Sequence, residues 1–176
     1  MSGGLQIQDA AKNSEAKNQL APKPFTSVEV DQIYSGVKKK YAGVAANAAG
    51  FFRYTVGKEG ARALGYDGTV LDEVSDELMN SFCGVGNPFT LAPIAEGSYV
   101  LDIGCGAGYD LFIASRLVGP DGKVFGVDLS AEMVDRARIN LNALQVENVD
   151  ILQVEGELLP FVDNHCDAVI SNGVIN

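Results

Sequence analysis

The chain has 176 residues, 47% of them hydrophobic, and a formal net charge of −10. This length suits one domain with a substantial core, and the acidic balance argues against nucleic acid as a partner. The sequence has no apolar run long enough to span a membrane and no stretch typical of a signal peptide. Its three unevenly spaced cysteines do not form a disulfide framework, so we expect a cytoplasmic protein.

The first half of the chain divides into an arm and a helical segment. Residues 1–24 are polar and rich in small residues, which predicts a flexible arm. Residues 25–90 are predicted to form a helical lid or cap, and its first helix begins at Thr26 or Ser27, either of which is a suitable N-cap. Two further short helices are predicted near Lys58–Leu64 and Asp76–Phe82.

A glycine-rich loop joins a strand to a helix near residue 105. Residues 99–103 form a short apolar run that is typical of a buried strand. Gly104, Gly106 and Gly108 follow, and glycine lets a ligand contact the backbone where a Cβ would collide. The pattern then becomes helical until the turn at 119–122. The helix face predicted to be buried holds Tyr109, Phe112, Ile113 and Leu117.

A carboxylate follows the next strand. The strand predicted over 123–127 ends at Asp128, twenty positions after Gly108. A carboxylate in that place can accept two hydrogen bonds from a ribose diol. In dinucleotide-binding loops, G-x-G-x-x-G, the third glycine comes one residue later than it does here. The spacing therefore favours a cofactor without a pyrophosphate, and a nicotinamide dehydrogenase is a less favoured interpretation.

The loop pattern D-x-G-x-G-x-G over 102–108 resembles the signature loop of S-adenosylmethionine-dependent methyltransferases of the Rossmann-like class. The stretch 153–161 is similar to the segment that follows strand 3 in that superfamily. In such proteins an acidic residue there meets the adenine amino group, and the next backbone N–H meets a ring nitrogen. The resemblance assigns these two roles to Glu155 and Gly156.

Within that superfamily, residues 28–176 are most similar to the arsenite methyltransferase family. The similar motifs are Gly86-Asn87-Pro88, Val118-Gly119-Pro120, Gly126-Val127-Asp128-Leu129, Glu132-Met133 and the stretch 170–176. The complete superfamily fold has seven strands. The resemblance therefore implies that strands 5, 6 and 7 are missing and that the chain is C-terminally truncated.

The fold class that follows is α/β, with a Rossmann-like parallel sheet preceded by the helical N-terminal segment. Strands and helices alternate beyond residue 98, and right-handed crossovers predict the strand order 3-2-1-4. Residues 91–176 are expected to be an incomplete S-adenosylmethionine-binding core. Strand 4, which contains residues 168–170, is expected to form an exposed apolar edge of the sheet.

The resemblance implies that this core binds S-adenosylmethionine. The predicted cofactor-binding residues are Asp102, Gly104, Cys105, Gly106, Gly108, Asp128, Leu129, Met133, Glu155, Gly156 and Asn172. Asp102 either ties the loop together or helps to hold the amino-acid end of the cofactor. Asn172 either lines the methyl site or satisfies local backbone groups. The sequence predicts no metal site.

The acceptor side of the predicted site departs from the family pattern. In the arsenite methyltransferase family, cysteine thiolates hold trivalent arsenic, as suits a soft centre. Two of those cysteine positions correspond to Val85 and Gly173 in this chain. Cys83 is a substitute candidate as an acceptor ligand. Cys105 is expected to pack within the glycine loop, and Cys166 is expected to be buried at the start of strand 4.

The sequence therefore predicts an enzyme that transfers a methyl group from S-adenosylmethionine to a small-molecule acceptor, as arsenite methyltransferases do. Arsenite itself is in question because of Val85 and Gly173. In-line methyl transfer needs an aligned acceptor rather than a protein nucleophile, so no catalytic residue is assigned. The alternative is a non-catalytic chain that binds the cofactor, or a partner along the edge of strand 4.

Overall fold

The computed structural model describes residues 24–155 and 158–174 of the chain. The flexible arm predicted for residues 1–24 lies outside the described residues, apart from Pro24. The same holds for Gly156, one of the two residues predicted to contact adenine. Within the described ranges, no helix is both long enough and apolar enough to cross a membrane.

The chain separates into two compact units, Met1–Ser35 and Gly36–Asn176. The first helix, α1, spans Ser27–Ala46. A capping box closes the start of this helix. The Thr26 N–H donates to Glu29 Oε2 at 2.8 Å, and the Glu29 N–H donates to Thr26 Oγ1 at 3.3 Å. Of the two possible N-caps in the sequence, the structure therefore uses Thr26.

Three short helices follow, namely α2 (Gly57–Ala63), α3 (Gly68–Glu73) and α4 (Asp76–Met79), and then a 3₁₀ turn at Pro88–Thr90. The first matches a predicted helix, and the third is shorter than the prediction. The second is not predicted, because six residues are too few to show a helical period. Its cap is visible in the sequence as Asp67, whose side chain accepts from the Thr69 N–H at 2.8 Å.

The strands are β1 (Tyr99–Ile103), β2 (Lys123–Asp128), β3 (Val149–Gln153) and β4 (Ala168–Ile170). They form one parallel sheet in the order β3-β2-β1-β4, which confirms the predicted order. Asp102 near the end of β1 lies opposite Gly126 of β2 and Ile170 of β4. The loop after β1 therefore lies where the strand order reverses, which is the usual place for a ligand in such sheets.

Helices α5 (Tyr109–Val118) and α6 (Ala131–Ala143) complete the core around the sheet. The prediction for the buried face of α5 is wrong at Leu117, which is 39% exposed. The residues buried against the sheet are instead Leu111, Ala114 and Val118. The reason is that one side of α5 packs on the sheet and a second side packs on an aromatic cluster, and Leu117 lies on neither side.

The second side of α5 meets an aromatic cluster. The ring of Tyr109 lies 5.4 Å from that of Tyr66 and 5.7 Å from that of Phe82, measured between centroids. Leu71 of α3 and Met79 of α4 are fully buried in the same core. The short helices therefore anchor the segment before the sheet onto the first turn of α5.

The C-terminal half of α1 covers the loop that follows β1. Its residues Val44 and Ala45, together with Ala48, are buried in one cluster with Ala107 and Met133. Ala107 belongs to the glycine loop, and Met133 lies in the first turn of α6. This packing places a helical cover directly over the region that the sequence predicts to bind a cofactor.

Candidate cofactor site

The loop after β1 is tied to the end of β2 by its backbone. The N–H groups of Gly104 and Cys105 both donate to the Val127 carbonyl oxygen, at 2.8 and 3.0 Å. Positive φ angles recur at Gly104 (73°), Gly106 (52°) and Gly108 (90°). Residues other than glycine rarely adopt positive φ angles, which explains why glycine occupies these three alternate positions.

Each of these glycines faces a different surrounding. At Gly108 an added Cβ would lie 3.2 Å from the Cβ of Ala137, so glycine permits the close approach of α6. At Gly104 the side chain of Val174 occupies the space. At Gly106 no atom of the described residues lies within 4 Å of that position. The backbone of Gly106 is therefore the part of the loop that is open to a ligand.

Asp128 stands next to this open backbone. Its Oδ2 accepts from the Gly106 N–H and its Oδ1 accepts from the Ser130 N–H, both at 2.9 Å. Burial raises the pKa of Asp128, whereas the N–H groups of Ser130 and Gly106 oppose that shift. Both oxygens are thus fixed by backbone donors, and each keeps a lone pair for a ligand hydroxyl.

Asp102 is the buried carboxylate beneath the loop. Its side chain is 2% exposed, and no side chain or backbone N–H within residues 24–155 and 158–174 donates a hydrogen bond to it. Burial, and then the nearby charges of Asp110 and Asp128, raise the pKa of Asp102 well above its usual range. The structure therefore gives no support to a role in tying the loop together by hydrogen bonds.

Comparison with known proteins identifies this region. Residues 94–176 match the methyltransferase domain family. Over these residues the chain is similar to a methyltransferase domain. The arsenite methyltransferase of Halobacterium salinarum is 44% identical to the chain over 117 residues, which are 66% of this chain and 30% of that protein. The ubiquinone/menaquinone biosynthesis C-methyltransferase UbiE of Pseudomonas syringae pv. syringae is 42% identical over 80 residues, 45% of this chain and 31% of that protein.

Among solved structures, an arsenic (III) S-adenosylmethionine methyltransferase from Chlamydomonas reinhardtii is 30% identical, with a TM-score of 0.47. The match covers 65% of this chain and 38% of that one. The chain therefore spans less than half of the length of each of these relatives.

A buried polar network joins α5 and the end of β4 to the segment before the sheet. Asp110, in the first turn of α5, accepts from the Tyr66 hydroxyl at 2.6 Å and from Asn172 Nδ2 at 3.0 Å. Asn172 Oδ1 in turn accepts from the N–H groups of Val85 and Gly86, at 2.9 and 3.0 Å. The side-chain amide of Asn172 thus holds the loop at 85–86. Of its two predicted roles, this geometry favours satisfying backbone groups.

Sequence reasoning missed Tyr66 and Asp110. Tyr66 lies 44 residues from Asp110 and 106 residues from Asn172 along the chain, so no local pattern links the three. The available signal is an aspartate in the first turn of a helix whose neighbours are apolar. An acidic residue there suits the positive end of the helix dipole, and the hydrogen bonds from Tyr66 and Asn172 offset the cost of burying it.

The three cysteines of the described chain lie in different surroundings. Burial raises the pKa of Cys83 to about 11, and this half-buried thiol is therefore a weak candidate for a thiolate ligand at neutral pH. Cys105 is buried within the glycine loop, as predicted. The prediction for Cys166 is wrong, because it is only half-buried and precedes β4, which begins at Ala168.

The remaining predicted residues surround the far side of Asp128. Met133 is buried beneath α1, and the Leu129 carbonyl oxygen accepts from Gln153 Nε2 at 3.3 Å. Glu155 is exposed and forms an ion pair with Lys38 of α1 at 2.7 Å. Leu129 and Met133 follow β2, and Glu155 follows β3. All three therefore lie beyond the carboxyl ends of the strands, where the glycine loop also lies.

A small cavity lies against the glycine loop that follows β1. Its volume is about 50 Å³, and its walls include Cys83, Gly84, residues 104–110 and Asn172. Pockets that bind small molecules usually have volumes of about 300–1,000 Å³. In this conformation the cavity is therefore too small for a nucleoside, and the Val174 side chain fills the space next to Gly104.

Proposed function

We propose that this chain is the cofactor-binding part of an S-adenosylmethionine-dependent methyltransferase. The observation that carries the proposal is the carboxylate of Asp128, held at 2.9 Å by the N–H groups of Gly106 and Ser130 beside the open backbone of Gly106. A fixed pair of carboxylate oxygens suits the two hydroxyls of a ribose. Glycine without a contacting neighbour leaves room for the rest of the nucleoside.

Different residues would contact different parts of such a ligand. Asp128 accepts the ribose hydroxyls, Gly106 presents bare backbone, and Glu155 accepts from the adenine amino group. Asp102 supplies negative charge beneath the loop and helps to hold the amino-acid end. When bound, S-adenosylmethionine would supply an electrophilic methyl group on a sulfonium. The cover formed by α1 excludes water from this region.

We propose the same division of the chain into a lid and a core that the sequence predicts. Residues 91–176 form the cofactor-binding core, and residues 25–90 form its helical lid. The three free cysteines at separate places in the described structure suit a reducing compartment, and we propose a cytoplasmic location on that ground.

The proposed acceptor is a small molecule that is not held by a pair of thiolates. The two positions where arsenite methyltransferases are expected to carry cysteines are neighbours here, because an added Cβ at Gly173 would lie 3.7 Å from the Val85 side chain. Valine and glycine at that place offer no soft ligand. The relatives named above have different acceptors in their names, so the shared region supports a common cofactor rather than a common acceptor.

The direct test is calorimetry of the chain with S-adenosylmethionine and with its demethylated product S-adenosylhomocysteine. Heat of binding and a rise in melting temperature are expected with both ligands and not with NADH. No heat and no thermal shift at millimolar ligand would reject the proposed function. Binding without transfer to any acceptor in a panel of small N-, O-, S- and C-nucleophiles would favour the non-catalytic alternative.

Gly106 offers a matched test of where the ligand lies. Gly106→Ala and Gly97→Ala each place a Cβ in a left-handed conformation, with φ of 52° and 77°, and at neither position does a described atom stand within 4 Å. Both variants are expected to lose about 1–2 kcal/mol of unfolding free energy. Only Gly106→Ala is expected to lower the affinity for S-adenosylmethionine, by at least about tenfold. Equal affinities of the two variants would remove Gly106 from the site.

A further inference from the structure

The strongest observation outside the roles already assigned concerns the carboxylate of Asp110. It is 7% exposed and lies in the first turn of the ten-residue helix α5. Its partners are the Tyr66 hydroxyl at 2.6 Å and Asn172 Nδ2 at 3.0 Å, both of which are neutral donors. In the described ranges no lysine or arginine pairs with it. Its charge is therefore not cancelled by the protein.

Asp110 also stands where a ligand would meet that charge. It forms part of the wall of the cavity that the glycine loop lines, together with Gly104, Gly106 and Asn172. The ribose-binding carboxylate Asp128 contacts the same loop from the other side, through the Gly106 N–H. If Asp128 holds the ribose as proposed, the rest of an adenosyl ligand would lie along this loop, whose cavity Asp110 also lines.

The environment favours the ionised form of Asp110 over that of its neighbour Asp102. Burial raises the pKa of both groups. Hydrogen bonds from Tyr66 and Asn172 lower the pKa of Asp110, whereas Asp102 has no donor among the described residues. These two donors stabilise the carboxylate form of Asp110, so Asp110 carries a negative charge more readily than Asp102 does. The amino end of α5 stabilises the same charge.

We propose that Asp110 selects the positively charged, methylated form of the cofactor over its neutral demethylated product. This inference rests on the proposed function, because it concerns the same site. S-Adenosylmethionine and S-adenosylhomocysteine share the adenosyl, amino and carboxylate groups, and they differ by one methyl group and the positive charge on sulfur. A buried anion with only neutral partners attracts that charge without screening by water. After transfer the sulfur is neutral, so the same anion holds the product less strongly than the methylated form.

The test compares both ligands on Asp110→Asn, which removes the charge and nearly keeps the shape. Calorimetry at one pH and one ionic strength is expected to show about tenfold weaker binding of S-adenosylmethionine and a change within about twofold for S-adenosylhomocysteine. Asp121→Asn, which removes an exposed charge from the turn after α5, is expected to leave both affinities unchanged. Equal weakening of both ligands on Asp110→Asn would show a purely structural role and overturn the proposal.

Two further variants keep the outcome decisive. Tyr66→Phe removes a hydrogen bond but keeps the carboxylate, so it is expected to shift both affinities by a common factor. If Asp110→Asn does not fold, Asp110→Ser provides a second neutral side chain that suits the first turn of a helix. An unchanged ratio of the two affinities in the neutral variant would overturn the proposal. Failure of the unaltered chain to bind either ligand would instead refute the proposed function.

Discussion

Replacing Asp128 with alanine is expected to abolish most of the affinity for S-adenosylmethionine. Two hydrogen bonds to an ionised acceptor contribute about 1.5–3 kcal/mol each, so their loss corresponds to about a hundredfold or more in the dissociation constant. The replacement also leaves the N–H groups of Gly106 and Ser130 without their acceptor, which loosens the open part of the loop. Calorimetric titration of Asp128→Ala against the unaltered chain measures the effect.

Two controls separate binding from folding in this experiment. Asp128→Asn keeps one acceptor oxygen in place, and its affinity is expected to fall between those of aspartate and alanine. Asp121→Ala removes an exposed carboxylate outside the site and is expected to bind as the unaltered chain does. Full affinity in a folded Asp128→Ala protein would contradict the assignment of the ribose to this residue, and with it the orientation of the whole ligand.

Asp102→Asn is expected to stabilise the ligand-free protein while weakening cofactor binding. Asp102 is fully enclosed, has no donor in the described part of the chain, and lies near two other carboxylates. Removing such a charge is expected to raise the unfolding free energy at pH 7 by about 1–3 kcal/mol. Because the amide no longer attracts the ammonium group of the ligand, affinity for S-adenosylmethionine is expected to fall by about tenfold.

The sign of the pH dependence provides an independent check. Folding raises the pKa of Asp102 above its unfolded value, so the folded state binds the proton more tightly. The destabilisation by its charge is therefore present in full above the folded pKa and disappears as the pH falls below the unfolded pKa, about 3.9. Melting curves of the two proteins should differ most near neutral pH and converge toward pH 4. A constant difference across this range would show that ionisation of Asp102 is not the cause.

The sequence is sufficient to predict the frame of the domain. Apolar runs bounded by turn residues locate the strands, and β1 is observed over the predicted residues, Tyr99–Ile103. The N-cap of α6 is Ser130, a residue type that favours this position, and its side chain accepts from the Met133 N–H at 3.3 Å. Strand order follows from the handedness of the crossovers and is confirmed. These features depend on neighbours in sequence or on general rules of chain topology, which explains why one sequence suffices.

The network of Tyr66, Asp110 and Asn172 is the part that local patterns do not reveal. Each residue is ordinary in its own segment, and the three meet only because a loop, a helix and the end of a strand converge. The burial of Leu111 in place of Leu117 has a similar origin, since α5 packs on two sides. Both features depend on contacts between segments that are distant in sequence. The spacing of apolar residues along a helix does not show how many other elements pack against it.

The narrow space above the glycine loop has a kinetic consequence. A cavity of about 50 Å³ admits only one or two water molecules, so a nucleoside enters only after the covering side chains move aside. Opening then precedes capture, and the observed association rate should level off as ligand concentration increases, at the rate with which the residues around the cavity move apart. Exchange of one ligand for another would then be limited by the rate of this opening rather than by diffusion.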